Sequence, residues 1–247
     1  MFKLVISDVK SFRNAIDAVV SLIDEGPLEV TKDGLSLRCM DPSQIAMVSF
    51  IAPKSFFMKY EVAEPTIVGV NFSELGKMLK RSESGEQLEL SQEENMLVAQ
   101  FTVEHEKRMF RLPLVEVQGG SPKEPTFVHD ATVKITAQAF KEGLKDAELI
   151  SSHVSLEATP ENFIIEVRDN SSMRTEMQKG NPKLVELNVK TKARATFPLQ
   201  YLKDISNAAI DKEPISINLK TNAPVKVSYN IDVLQFTYYL APRIDAE

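Results

Sequence analysis

The chain has 247 residues, enough for one large domain or two of ordinary size with a sizeable core, and its 43% hydrophobic and 26% charged content is that of a folded soluble protein. No apolar run approaches the roughly 18 residues of a membrane span, and MFKLVISDVK lacks a secretory leader pattern. A single cysteine, Cys39, cannot close an internal disulfide, which fits a reducing cytoplasmic compartment and suggests a small buried apolar residue. A net charge of −6 excludes a protein that coats nucleic acid through overall basicity and leaves room only for a local basic face.

Residues 2–6 alternate as a strand, and Ser7 or Asp8 can cap a helix whose apolar residues Phe12, Ala15, Ile16, Val19, Val20 and Ile23 recur at helical spacing. Asp33-Gly34 between Leu28–Thr31 and Leu35–Arg38 predicts a hairpin. Strands are expected at 45–51 and 66–70. Asn71 and Glu74 form a capping box for a second helix with Phe72, Leu75 and Leu79 inward. Strands at 87–91, 96–103 and 108–115 follow.

Val115 to Ala131, with Gly119-Gly120-Ser121, Pro122 and Pro125, has neither period and reads as a connector. Beyond it the order recurs: a strand at 132–135, then a helix with Phe140, Leu144 and Ala147 inward. A hairpin at Thr159–Asn162 precedes strand regions at 173–178 and 184–197. A helix at 199–208 and strands at 215–220, 225–230 and 234–240 complete the order. Phe12 corresponds to Phe140, Leu75 to Leu202, and Leu88-Glu89-Leu90 to Ile215-Ser216-Ile217. This is an internal repeat, and it predicts an α+β fold of two similar domains, 1–116 and 132–247, joined by 117–131.

The four predicted helices carry basic ridges: Lys10 and Arg13; Lys77, Lys80 and Arg81; Lys141 and Lys145; and Lys203. The third also bears Glu142 and Asp146 on a neighbouring face. No catalytic constellation accompanies them. His105, His129 and His153 are isolated from each other and from Cys39, and there is no phosphate-binding glycine loop and no nucleophile elbow. Neither an enzyme activity, a metal nor a cofactor is expected.

The order and spacing of Leu22-Ile23-Asp24-Glu25, Asp33-Gly34, Met40-Asp41-Pro42-Ser43, Lys59-Tyr60-Glu61-Val62, Glu64-Pro65, Gly69-Val70-Asn71, Lys77-Met78-Leu79-Lys80, Phe110-Arg111-Leu112-Pro113-Leu114 and Tyr239-Leu240-Ala241-Pro242-Arg243-Ile244 resemble the archaeal sliding clamps of the proliferating cell nuclear antigen (PCNA) family over the whole chain. The resemblance implies a DNA polymerase processivity factor of replication and repair. It would be a head-to-tail homotrimeric ring, with strands outside and helices lining a hole for double-stranded DNA, recognised without regard to sequence. Lys10, Arg13, Lys77, Lys80, Arg81, Lys141, Lys145 and Lys203 would face the DNA. Asn207 and Glu142 stand where relatives can be basic.

The resemblance further implies that strand 108–115 pairs with 173–178 of a neighbouring copy, with Arg81, Arg108, Phe110, Glu142, Asp146, Arg174 and Glu176 at that joint. DNA polymerase, clamp loader, flap endonuclease and DNA ligase would dock short motifs in a pocket of Met40, Gln44, Ile45, Met47, Val117, Pro224, Tyr239, Leu240, Ala241 and Pro242. Core packing is the competing role for Met40, Ile45 and, above all, Met47. The family's connector carries an aliphatic pair where this chain has Gly119-Gly120-Ser121, with Val117, Pro122 and Phe127 available to compensate. A subunit of a heterotrimeric clamp and a peptide-binding scaffold without DNA are the alternatives.

Overall fold

A computed structural model describes residues 1–117 and 121–243. Gly119, Gly120 and Ile244, singled out above, lie outside the described residues. The first half runs β1 (Phe2–Ile6), α1 (Val9–Val20), β2 (Glu25–Val30), β3 (Gly34–Met40), β4 (Ala46–Pro53), a 3-10 turn (Lys54–Phe56), β5 (Lys59–Val62), β6 (Thr66–Asn71), α2 (Phe72–Leu79), β7 (Gln87–Glu93), β8 (Met96–Val103) and β9 (Glu106–Pro113). The second runs β10 (Ala131–Thr136), α3 (Ala137–Glu148), β11 (His153–Ala158), β12 (Asn162–Arg168), β13 (Ser172–Gln178), β14 (Leu184–Val189), β15 (Ala193–Pro198), α4 (Leu199–Asn207), β16 (Pro214–Leu219), β17 (Val225–Ile231) and β18 (Leu234–Leu240).

The repeat holds element for element. Strand order β5-β1-β7-β8-β9 in the first half is matched by β14-β10-β16-β17-β18 in the second, and β4-β3-β2-β6 by β13-β12-β11-β15. By this correspondence β9 is the counterpart of β18, and β4 of β13. Strand β18 lies beside β4, whereas β9 and β13 each end a sheet. The fold is thus α+β, with antiparallel pairing in registers such as Leu4 opposite Leu90 and Ile165 opposite Thr175.

Packing gathers the chain into two compact units: Met1–Pro42 with Val48–Lys123 and Asn230–Phe236, and Ser43–Met47 with Glu124–Tyr229 and the chain from Thr237 on. In the first, Leu4, Ile6, Phe12, Ile16, Phe72, Leu75, Leu88 and Phe101 are each at most 1% exposed. In the second, Val133, Ile135, Phe140, Leu144, Phe163, Phe197, Leu202 and Ile217 have no exposed surface. Burying each such side chain contributes about 1.5–3 kcal/mol. Two buried tyrosines satisfy each other: the Tyr229 hydroxyl donates to the Ile205 carbonyl at 2.9 Å and meets the Tyr238 hydroxyl at 3.1 Å.

Several boundaries differ from the sequence expectation. Helix α1 starts where Asp8 accepts a hydrogen bond from the Ser11 amide at 3.1 Å, but ends at Val20, so Ile23 is buried from the following loop. Asn71 caps α2 through the Glu74 amide at 2.8 Å, while the Glu74 carboxylate turns to Lys77 at 2.7 Å. The region 184–197 is two strands in different sheets, because the exposed Lys190-Thr191-Lys192 carries the chain across and Lys190 donates to the Asp130 carbonyl at 2.8 Å. Strand β5 escaped the periodicity because Lys59 and Glu61 face solvent and Tyr60 and Val62 are only half-buried. Cys39, expected in the core, is half-buried, its thiol donating to the Met40 carbonyl at 3.4 Å.

Gly34 and Gly69 are fixed by close approach. A Cβ on Gly34, at φ 154°, would stand 2.2 Å from the Ala52 carbonyl oxygen, and one on Gly69 would stand 2.0 Å from that of Val115. The second approach pins the start of the connector, where the Val115 amide donates to the Gly69 carbonyl at 3.0 Å.

Candidate nucleic-acid face, docking surface and open edges

In the first unit, α1 and α2 turn Phe12, Ala15, Ile16, Val19, Phe72, Leu75 and Leu79 inward, which leaves Lys10, Lys77, Lys80 and Arg81 exposed and Arg13 half-exposed. Lys80 crosses to Asp17 of α1 at 3.1 Å and Lys77 pairs with Glu74. Lys10, Arg13 and Arg81 carry no ion pair among the described residues. Residues 9–20 and 72–81 hold five basic side chains against two acidic ones.

The second unit is different. Lys141 is drawn down to the Ala209 carbonyl at 2.6 Å and Asp211 at 2.9 Å, and Lys203 of α4 meets Glu148 of α3 at 2.5 Å. Lys145 alone of the three stays exposed and unpaired among the described residues. Residues 137–148 and 199–207 hold three basic side chains against four acidic. Exposed pairs of this kind add only about 0–1 kcal/mol of stability, but each one lowers the charge available to a phosphate.

The end of β18 and the turn before β4 meet where the Ala241 amide donates to the Ile45 carbonyl at 2.8 Å. Around this joint in the second unit, Gln44 is exposed with a left-handed φ of 58°, and Ile45, Pro224, Ala241 and Pro242 are half-buried. Met47 at 2% and Leu240 at 0% exposure belong to the core, and Tyr239 is 5% exposed. In the first unit, Met40 ends β3 and Val117 ends the described stretch before the connector centre; both are half-buried.

Tyr239 is held by residues the sequence did not single out. Its hydroxyl donates to Glu124, the Lys226 ammonium stands 3.3 Å from the same carboxylate and 5.5 Å from the centre of the tyrosine ring, and Phe127 packs edge-on at 6.2 Å. Phe127 also stacks 4.7 Å from His129, whose pKa is lowered, first by burial and then by the nearby Lys226 charge. Glu124 and Lys226 give no periodic signal, so only the fold brings them together.

At the open edge β9, Arg108 reaches Glu86 at 2.5 Å and the Arg81 carbonyl at 3.1 Å, and lies 5.6 Å over the Phe101 ring, against which Phe110 packs edge-on. Its guanidinium is therefore engaged within its own unit. Glu86, 4% exposed, was not visible as its partner in the sequence. At the open edge β13, Arg174 binds Glu176 at 2.8 Å and Glu166 at 3.0 Å. Glu142 stands 3.8 Å from Lys183, while Asp146 is exposed and carries no ion pair among the described residues. Among the described residues no cluster of His, Cys, Asp or Glu could hold a metal, and no helix is long and apolar enough to cross a membrane.

Residues 1–115 match the family described as proliferating cell nuclear antigen, N-terminal domain, and residues 123–244 its C-terminal domain. The chain is 31% identical to the DNA polymerase sliding clamp of Pyrococcus furiosus, over 99% of each chain, and 32% identical to that of Methanococcus maripaludis strain C5, over 97% of this chain and 98% of the relative. The PCNA crystal structure of Thermococcus kodakaraensis superposes with a TM-score of 0.92 at 27% identity, covering 98% of this chain and all of that one. A. fulgidus PCNA, solved with the C-terminal region of FEN-1 bound, gives a TM-score of 0.90 at 26% identity over both full chains. Both domains of the fold and the full length are thereby accounted for, and the chain belongs to the proliferating cell nuclear antigen family, alongside the archaeal DNA polymerase sliding clamps.

Proposed function

We propose that the chain is a sliding clamp, a non-enzymatic processivity factor that closes into a homotrimeric ring around duplex DNA and tethers replication and repair enzymes to it. One observation carries the reading. Within the chain β18 lies beside β4, and their counterparts in the repeat, β9 and β13, are both sheet edges. Pairing β9 of one copy with β13 of the next repeats a contact the chain already makes, in a heterologous arrangement that a rotation closes. Phe110, Arg174 and Glu176 stand on those edges, with Arg81, Arg108, Glu142 and Asp146 as the accompanying charges.

The basic helices supply a bore that meets phosphates without reading bases, and few such contacts leave the protein free to slide. The surface around Gln44, Ile45, Pro224, Tyr239, Ala241 and Pro242 is the proposed docking place for motifs of a polymerase, clamp loader, flap endonuclease or ligase. The FEN-1 segment bound to the A. fulgidus relative supports this.

The test is topological. A clamp loaded on closed circular DNA stays bound and is released on linearisation, and light scattering of the purified protein gives three times the chain mass. A monomer that joins only other clamp subunits identifies a heterotrimer subunit, and binding indifferent to DNA topology identifies a peptide scaffold; either overturns the homotrimer.

A further inference from the structure

In the second unit the solvent-facing side of the sheet β13-β12-β11-β15 sinks into a cavity of about 740 Å³. Nothing in the proposed function uses it. Its lining includes the buried carboxylate Glu166, 3% exposed; Glu157, 6% exposed and outside the lining, is tied to it through Arg194. Both are consumed. Glu157 binds Lys192 at 2.9 Å and Arg194 at 3.0 Å; Glu166 binds Arg168 at 2.8 Å, Arg174 at 3.0 Å and Arg194 at 2.8 Å. Burial opposes the charge on Glu166, but hydrogen bonds from Arg168, Arg194 and Arg174 outweigh it and hold the carboxyl down to about 2.

The guanidiniums are not exhausted in return. Each carries five N–H donors in a planar fork. Arg168 contributes one terminal nitrogen to Glu166, and Arg194 reaches both Glu157 and Glu166 through one, Nη1. The walls add hydroxyl donors: Ser155 and Thr196 share a hydrogen bond at 2.8 Å, which leaves one of the two protons for a ligand. Asp169, the remaining acid, accepts from the Asn170 amide at 2.8 Å. A roomy cavity rich in donors, with its buried acid Glu166 paired to three arginines, matches an oxyanion better than an apolar group.

We propose that this cavity binds a small phosphate-bearing molecule, with Arg168 and Arg194 on the phosphate oxygens and Ser155 or Thr196 as the neutral donor. The size exceeds that of a single orthophosphate and fits two linked phosphoryl groups. This proposal does not depend on ring closure or on the docking surface.

Inorganic pyrophosphate is the probe. Titration calorimetry at constant ionic strength, followed by amide chemical shifts, should show one saturable site per chain with shifts at Ser155, Arg194 and Thr196. Arg168→Gln, at a side chain that is 70% exposed, should weaken binding at least tenfold, and Thr196→Val should weaken it severalfold. Absence of saturation at millimolar pyrophosphate, or binding unchanged in both variants, overturns the proposal. So does a single-stranded oligonucleotide with a 5′ phosphate that saturates the site where pyrophosphate does not, since the site then serves nucleic acid.

Discussion

The Tyr239 hydroxyl donates its hydrogen bond to the carboxylate of Glu124, 115 residues earlier, and so fastens the later part of the connector to the end of β18. Lys226 stands 3.3 Å from the same carboxylate oxygen. The tyrosine ring at the proposed docking surface is thus fixed before any peptide arrives, which would lower the ordering cost of binding. Glu124→Ala should weaken a docking peptide about tenfold, or ~1.4 kcal/mol, without altering the oligomer mass. Unchanged affinity by titration calorimetry would separate Glu124 from docking.

The Glu166 carboxyl, ordinarily near 4.5, is held at about 2 in the folded chain. The folded state therefore favours the ionised form. Its contribution is fully present above about pH 5 and is lost as pH falls towards 2. Urea midpoints measured over this range should fall, and fall less in Glu166→Gln. At neutral pH the same substitution removes the buried carboxylate that gathers the solvent-reached side chains of Arg168, Arg174 and Arg194, and should cost about 1–2 kcal/mol. A variant as stable as the parent at pH 7 would contradict the role given to this carboxylate.

Lys10 and Arg13 carry no ion pair among the described residues, whereas Lys77 is matched by Glu74 and Lys203 by Glu148. Reversing Lys10 and Arg13 to Glu should weaken duplex binding strongly and reduce the slope of log affinity against log salt by about two. Lys77→Ala should have a smaller effect, because the Lys77 charge is already countered by Glu74 at 2.7 Å. Fluorescence anisotropy across a salt series distinguishes them, and equal losses would sink the ranking.

Asp146 is exposed and unpaired among the described residues, and Glu142 lies at 3.8 Å from its nearest cation, Lys183. Both have charge to offer a second copy. Glu142→Lys with Asp146→Lys should lower the mass seen by light scattering at physiological salt, an effect that high salt mutes. A mass that does not move would remove these acids from the joint.

Phe140→Ala should cost about 3–5 kcal/mol, since the ring has no exposed surface and little can collapse into its place. A urea denaturation midpoint near that of the parent would show that the α3 core has repacked.

Much of the architecture was legible in the order of residues. Phe12, Ala15, Ile16 and Val19 announced α1, and the parallel with Phe140 and Leu144 announced the duplication, because helical burial imposes a period that survives the divergence of individual side chains. The basic residues on the outward faces of the helices were visible for the same reason: once the inward stripe is known, the outward residues follow. What remained hidden depends on pairing across distance. Nothing near Arg108 marks Glu86 as its partner, and nothing near Tyr239 marks Glu124. The burial of Leu240 was not distinguishable from exposure at a pocket, since both roles call for the same apolar residue types, whereas core packing was already the favoured role for Met47. Strand β5 and the break at Lys190–Lys192 were lost because edge and crossover segments carry charges that mask the two-residue alternation.

The two rims of the sheet β13-β12-β11-β15 are unequal. Along β15 the turn after β16 caps the backbone, with the Asn222 amide donating to the Arg194 carbonyl at 3.1 Å and the Arg194 amide donating to the Thr221 hydroxyl at 3.3 Å. The Arg243 amide occupies the Thr196 carbonyl at 2.7 Å. Strand β13 has no such cover among the described residues. This gives the sheet a valency of one, so that a further strand can add from a single direction. Stacking of many chains along both rims, the route to fibrous aggregates, is closed to it.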